Sequence, residues 1–382
     1  MIRRILFPLI SLAIAGLTIA VDLHPSTADS RLCLSGGCRF DQILASGATP
    51  ETISALLNED PEDPGIWCTY GEFWTARGEV AKAKVAFDRA LVLGSGLSSV
   101  LMRIANFDFA HDRTEEGLRL APRILSASDQ FDELVFSYVQ ASGVAATQLL
   151  GVVIPATPRV AHSWLRWQTR VGTHQDVLYT WAWMRKNQFA DEKSAMEIAT
   201  TLWQHKSYRD AQQLWADWLG AKRFDYLNPQ LFANAHFQET PSGTPFDWNL
   251  AARAGVEFIR RDGLEVHFRG QENVGATGLQ QVTAVGPGRY RFSAEVSADN
   301  ITTDEGPFFQ ITDAENGSRL NLETQPILGN RSRAWISTDF TVPAGTRIVQ
   351  IGLIRRPSLK FDNKIAGTLH IYQISLVPAS KA

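Results

Sequence analysis

Three short stretches late in the chain collect side chains suited to gripping a polar ligand. "TTDEGPFF" carries Asp304, Glu305, Phe308 and Phe309; "LIRRPS" carries Arg355 and Arg356; "FDNK" carries Phe361, Asp362, Asn363 and Lys364. Aromatic faces cover the C–H surfaces of a sugar, while carboxylates, amides and guanidinium groups satisfy its hydroxyls. If these loops meet at one rim, Asp304, Glu305, Phe308, Arg355, Arg356, Asp362 and Asn363 define a glycan site. The other reading makes Asp304-Glu305-Gly306 a solvated turn and puts the arginines on an outer face. Glycoside hydrolysis is a poorer fit. Adjacent carboxylates on a strand point to opposite faces, whereas that chemistry needs two aimed at one bond.

Other reactive constellations are missing. The sequence contains no GxSxG, no glycine-rich phosphate loop and no HExxH or CxxC spacing, and its 8 histidines are scattered. No catalytic residue, metal site or cofactor is expected. A net charge of -3 and a pI near 6.3 argue against nucleic acid as a partner. Of the 3 cysteines, Cys33 and Cys38 bracket "LSGG" and either close a small disulfide or remain two thiols; Cys68 reads as a small core residue.

The N-terminus speaks to location. Arg3 and Arg4 precede an uncharged run from Ile5 to Val21, which as a helix would reach about 25 Å, short of a hydrocarbon core of about 30 Å. It reads as a secretory signal or a membrane anchor over 1–24, followed by a linker over 25–49. Export is expected, with membrane contact through this segment.

The rim loops need a scaffold, and residues 226–382 supply short alternating runs. "RYRFSAEVS" places Tyr290, Phe292, Ala294 and Val296 on one face, with Arg291, Ser293 and Glu295 on the other. Gly286-Pro287-Gly288, Asn316-Gly317 and Pro343-Ala344-Gly345 mark turns. Together these predict an antiparallel β-sandwich. The landmark order "NAHF", Trp248, "GRY", "AWISTDFTVP" and "GTLHIYQISL" resembles the jelly-roll carbohydrate-binding modules, which implies a glycan-binding sandwich. That group often carries paired aspartates on its closing strand. Tyr372-Gln373 stands there instead, which puts the family's structural calcium in doubt.

The first half follows another rule. From Trp67 a pattern of large and small residues returns after about 34 residues. Tyr70, Gly71, Ala83, Phe87 and Ala90 give way to Ile104, Ala105, Gly117, Ala121 and Ile124, and the pattern recurs around Trp164 and Ile198. It resembles the tetratricopeptide repeat family, with copies near 64–97, 98–127, 158–191 and 192–225 and an insert over 128–157. A helical domain over 50–225 is therefore expected. The resemblance implies a groove lined by the first helix of each pair, carrying Asn106, Phe109, His162, Arg166, Thr200, Trp203 and Gln204 and holding a protein partner.

The expected fold class is α+β multidomain: an α-solenoid of helical hairpins, then an antiparallel jelly roll. By resemblance to envelope proteins with this pairing, the chain reads as a non-catalytic scaffold of the bacterial periplasm or inner membrane. Its repeats would hold protein and its sandwich polysaccharide, in exopolysaccharide or lipopolysaccharide assembly. The alternatives are a structural protein whose sandwich only caps the solenoid, and an accessory to a carbohydrate-active enzyme.

Overall fold

The computed structural model describes residues 49–361 and 363–379. The N-terminal apolar run, Cys33, Cys38 and Asp362 lie outside them. The chain divides into two compact units, Met1–Ala190 and Asp191–Ala382. Among the described residues no helix is long and apolar enough to cross a membrane.

The first unit is helical: α1 (Pro50–Glu59), α2 (Pro64–Ala76), α3 (Val80–Leu93), α4 (Ser98–Ala110), α5 (Thr114–Ala127), α6 (Asp132–Ala141), the single turn α7 (Ala146–Leu149), α8 (Pro158–Val171) and α9 (His174–Lys186). Its pairs α2–α3, α4–α5 and α8–α9 are the expected hairpins, and α4 packs on both helices of the pair before it. The insert folds as α6 and α7, which bridge to α8 and α9. Pro122 is accommodated within α5.

Small residues allow the close approaches. A Cβ on Gly71 would lie 2.7 Å from the Phe87 ring, and one on Gly117 would lie 2.7 Å from the Phe109 ring. Gly78 turns α2 into α3 with φ +76, a conformation glycine adopts without steric cost. Gly172, which ends α8, has an extended backbone, and a Cβ there would strike the Gln168 side chain. Arg103 of α4 ties it to α2 through Glu72 (2.7 and 2.6 Å) and the Thr69 hydroxyl (2.8 Å). Cys68 is fully buried, and burial pushes its thiol up to about 12; it is a packing residue.

The second unit opens with one more hairpin, α10 (Glu192–Gln204) and α11 (Tyr208–Leu219). The 34-residue period makes this pair the fourth repeat; its packing places it with the sandwich. The Gln212 side chain on α11 donates to the Tyr226 and Thr283 hydroxyls at 3.1 and 2.9 Å and accepts from the Ala284 backbone at 2.9 Å. Tyr208 packs on Ala284 and Ile348.

The sandwich strands are β1 (Asn249–Leu250), β2 (Val256–Arg260), β3 (Leu264–Arg269), β4 (Ala276–Ala284), β5 (Gly288–Thr302), β6 (Phe308–Asp313), β7 (Asn321–Glu323), β8 (Gly329–Val342), β9 (Ile348–Ile354) and β10 (Ala366–Pro378). They form two 5-stranded antiparallel sheets, β1-β4-β9-β6-β7 and β2-β3-β10-β5-β8. Alternation decides what they share. Phe292, Ala294 and Val296 meet Phe309, Ile311, Val349 and Ile351 in one core, so residues at the intervening positions face outward. At the end of β6, burial would raise the Asp313 carboxyl. The Thr346 hydroxyl, the backbone N–H groups of Asn316 and Glu315, and Arg319 overcome this and hold it below the usual carboxylate range.

Gly71→Val is expected to cost about 1–3 kcal/mol through overpacking against Phe87, read as a lower urea midpoint. Asp313 stabilises the fold above the unfolded carboxylate pKa of about 4, and that contribution disappears as pH falls through the lower folded value. Asp313→Asn should therefore lower stability at pH 7 and flatten its fall between about pH 4 and pH 2, as followed by urea titration at several pH values.

Candidate functional site

The outer face of the β1-β4-β9-β6-β7 sheet carries a polar stripe that register assembles from five separate strands. Asn249 pairs with Gln280, Gln280 with Gly352, Gly352 with Gln310, and Gln310 with Glu323. A second row beside it runs from Val282 through Gln350 and Thr312 to Asn321. The amides hold one another in place: Gln350 donates to Gln280 Oε1 at 3.3 Å, and Gln310 to Asn321 Oδ1 at 2.9 Å.

Gly352 sits at the centre of the stripe, in mid-strand, where glycine ordinarily weakens a sheet. Packing does not demand it. A Cβ added there would meet only ordinary contacts, with Leu279 O at 3.6 Å and with Gln280 and Ile354 carbons at 3.9 Å. Its missing side chain leaves a small trough of about 60 Å³ lined by Gln280, Gln310, Thr312 and Gln350, with Arg253 contributing to its wall. Glycine in a strand interior often marks the place where another molecule approaches the backbone.

Two of the rim residues expected from sequence border this stripe. Phe308 shares the outward face with Gln310, pairs with Ile354, and is buried, with the Arg356 guanidinium over its ring at 5.0 Å. Arg356 also pairs with Glu323, the last member of the stripe.

Arg355 does something different from the role expected of it. It is 2% exposed, and all its N–H groups are engaged. Nε donates to the Glu305 carbonyl at 2.6 Å. Nη1 donates to Asn273 Oδ1 and the Val274 carbonyl, at 2.7 and 2.9 Å. Nη2 donates to the Thr303 hydroxyl and the Asn363 carbonyl, at 2.8 and 3.1 Å. Burial pulls its guanidinium below the usual arginine value, with Asp304 and Glu305 acting the other way. The residue ties three loops together and offers nothing to a ligand. Glu305 and Asn363 join the knot through their carbonyls. Asp304 is exposed and meets Lys360 at 3.2 Å; its carboxyl is held low first by the Ser358 hydroxyl.

The groove residues divide between the units. In the first, Asn106 is half-buried with its Oδ1 enclosed and lacking a partner among the described residues. His162 is half-buried and Arg166 exposed on α8. Phe109 is core, stacked on Tyr138 at 4.5 Å, because the helix turn that carries it faces Gly117. In the second unit, Thr200 is half-buried and Gln204 exposed. Trp203 is committed to packing against Tyr208 and Phe246, with ring centroids at 4.7 and 5.5 Å.

The glutamine stripe escaped the sequence reading, although a signal existed. Gln280, Gln310 and Gln350 each occupy an outward position of an alternating strand, and "IVQIGLI" interrupts an apolar strand with glycine.

The architecture is a run of helical hairpins followed by a sandwich of two 5-stranded antiparallel sheets. No protein-family model and no curated protein matches the chain. Among solved structures it is similar to a family 4 carbohydrate-binding module, at 16% identity and TM-score 0.29 over 39% of this chain and 99% of that one. It is also similar to YrrB, a tetratricopeptide repeat protein with an unusual peptide-binding site, at 13% identity and TM-score 0.24 over 45% and 92% of the two chains. PilF of Pseudomonas aeruginosa matches at 15% identity and TM-score 0.26, over 50% of this chain and 91% of its own.

Arg355→Met should cost about 3 kcal/mol or more, since five hydrogen bonds to a buried charged group would be lost and the Val274 and Asn363 carbonyls would lose their Arg355 donor. The expected readout is a lower thermal midpoint together with protease cleavage in the 303–306 or 356–364 loops.

Proposed function

We propose that the chain is a non-catalytic binding protein whose sandwich takes an uncharged glycan across the Asn249–Glu323 stripe. The observation that carries this reading is Gly352, a mid-strand gap in side chains that the packing around it does not require. Primary amides both donate and accept, which suits sugar hydroxyls. The stripe places three glutamines around that gap. A chain laid along it would drop one protruding group into the trough and reach Arg356 and Glu323 at the far edge, with Asp304 and Asn363 on the loops beyond.

The helical hairpins of the first unit hold a protein partner in this proposal, and the sandwich of 226–382 holds the polysaccharide. Half-buried Asn106 and His162 and exposed Arg166 are the groove residues of the first unit that such a partner would meet. Export, with Ile5–Val21 as signal or inner-membrane anchor, would put both activities in the cell envelope, where exopolysaccharide or lipopolysaccharide is assembled. No metal, cofactor or nucleic acid is part of this reading.

The glycan reading is tested with Gly352→Val on the whole chain. The β-branched side chain fills the trough and favours the strand, so stability should hold or rise by up to about 1 kcal/mol. Binding to neutral polysaccharides on a glycan array should fall at least tenfold, and Gln310→Ala should weaken it too. Undiminished binding by a folded Gly352→Val variant, or a blank array with the parent protein, would sink this reading.

A further inference from the structure

The outer face of the other sheet carries a larger open depression, of about 460 Å³, within the range of about 300–1,000 Å³ typical of small-ligand sites. Its floor is an irregularity in β10. The register slips between Ile371 and Gln373, so Tyr372 and Gln373 both line the depression, between the fully buried Ile371 and Ile374. Bulges of this kind re-aim side chains.

The turn joining β2 to β3 closes onto the bulge. Gly263 has φ +111, and a Cβ there would strike the Ile371 carbonyl; only glycine permits this approach. The turn thereby brings Arg260, Arg261 and Asp262 to the wall of the depression, and His236 and Gln238 line it from the segment before the sandwich.

Charge indicates the ligand. Arg333 and Glu295 form a closed two-point pair at 2.9 and 2.8 Å, and the guanidinium lies 3.9 Å from the Tyr372 ring centroid. That pair cancels its own charge. Arg260 donates to the Thr240 hydroxyl at 2.9 Å. Arg261 is exposed and has no carboxylate partner among the described residues. Two guanidinium groups therefore stand beside the single carboxylate of Asp262, giving a locally positive site on a chain of net charge -3.

We infer that this depression binds the carboxylate-bearing ring of an acidic saccharide. Arg260 and Arg261 take the carboxylate, in the two-point geometry guanidinium groups favour, and the Gln238 and Gln373 amides take ring hydroxyls. The site lies on the opposite sheet from the glutamine stripe and selects for charge, so it goes beyond the neutral-glycan reading. One chain could then join two polymers, or grip a single polymer containing both neutral and acidic sugars.

The test is calorimetry on the whole protein with a panel of uronate oligosaccharides (galacturonate, glucuronate and mannuronate), the methyl ester of the galacturonate member, and inorganic phosphate. At least one uronate should bind, more weakly as salt rises, and its methyl ester should bind at least tenfold more weakly. Arg260→Gln with Arg261→Gln should abolish uronate binding while leaving the thermal midpoint unchanged. Gly352→Val should leave uronate binding intact, which separates this site from the stripe. The inference is overturned if no uronate binds, if the ester binds equally, or if phosphate displaces the saccharide at equal concentration, which would mean a simple anion site.

Discussion

A single helical hairpin, like a single sheet, has an apolar face and no means of covering it alone. Each element of this chain answers that constraint by borrowing a surface from a neighbour. Within the first unit, α4 covers α2 and α3, and the insert helices cover α5, α8 and α9. In the second unit the two sheets cover each other around Phe292 and Phe309, whose rings lie 5.3 Å apart. Once inner faces are spent on the core, outer faces become available for recognition.

The sandwich uses its two outer faces differently. One presents amides, with Arg253 beside them, around a missing side chain. The other presents ion pairs and aromatic groups: Arg291 with Asp339, Arg333 with Glu295 over Tyr372, and Trp335 at 51% exposure. Surface ion pairs contribute little to stability. Their presence on a strand face serves mainly to orient side chains and to keep the sheet soluble.

Periodic features were legible in the sequence because they are local. The alternation over Tyr290–Val296 and the spacing of Gly71, Phe87 and Ala105 are consequences of strand and helix repeat lengths, and the structure follows both. What failed to show was nonlocal. Arg355 and Arg356 look equivalent as neighbours, yet alternation sends one into a knot of loop carbonyls and leaves the other over Phe308. Trp203 occupies a groove position in the repeat, but Phe246, far along the chain, claims its ring. The glutamine stripe exists only through the register of five strands, which no window of sequence contains.

The attachment of α10 and α11 to the sandwich has a bearing on how this part of the molecule comes apart. Gln212 satisfies a strand amide and a buried hydroxyl at once, while Tyr208 covers Ala284 and Ile348. Pulling the hairpin away would strip a donor, an acceptor and an apolar lid from the same edge of β4 and β9. Amide hydrogens of α11 and of that edge should therefore exchange with solvent together, as one cooperative opening, and more slowly than those of an isolated helical pair.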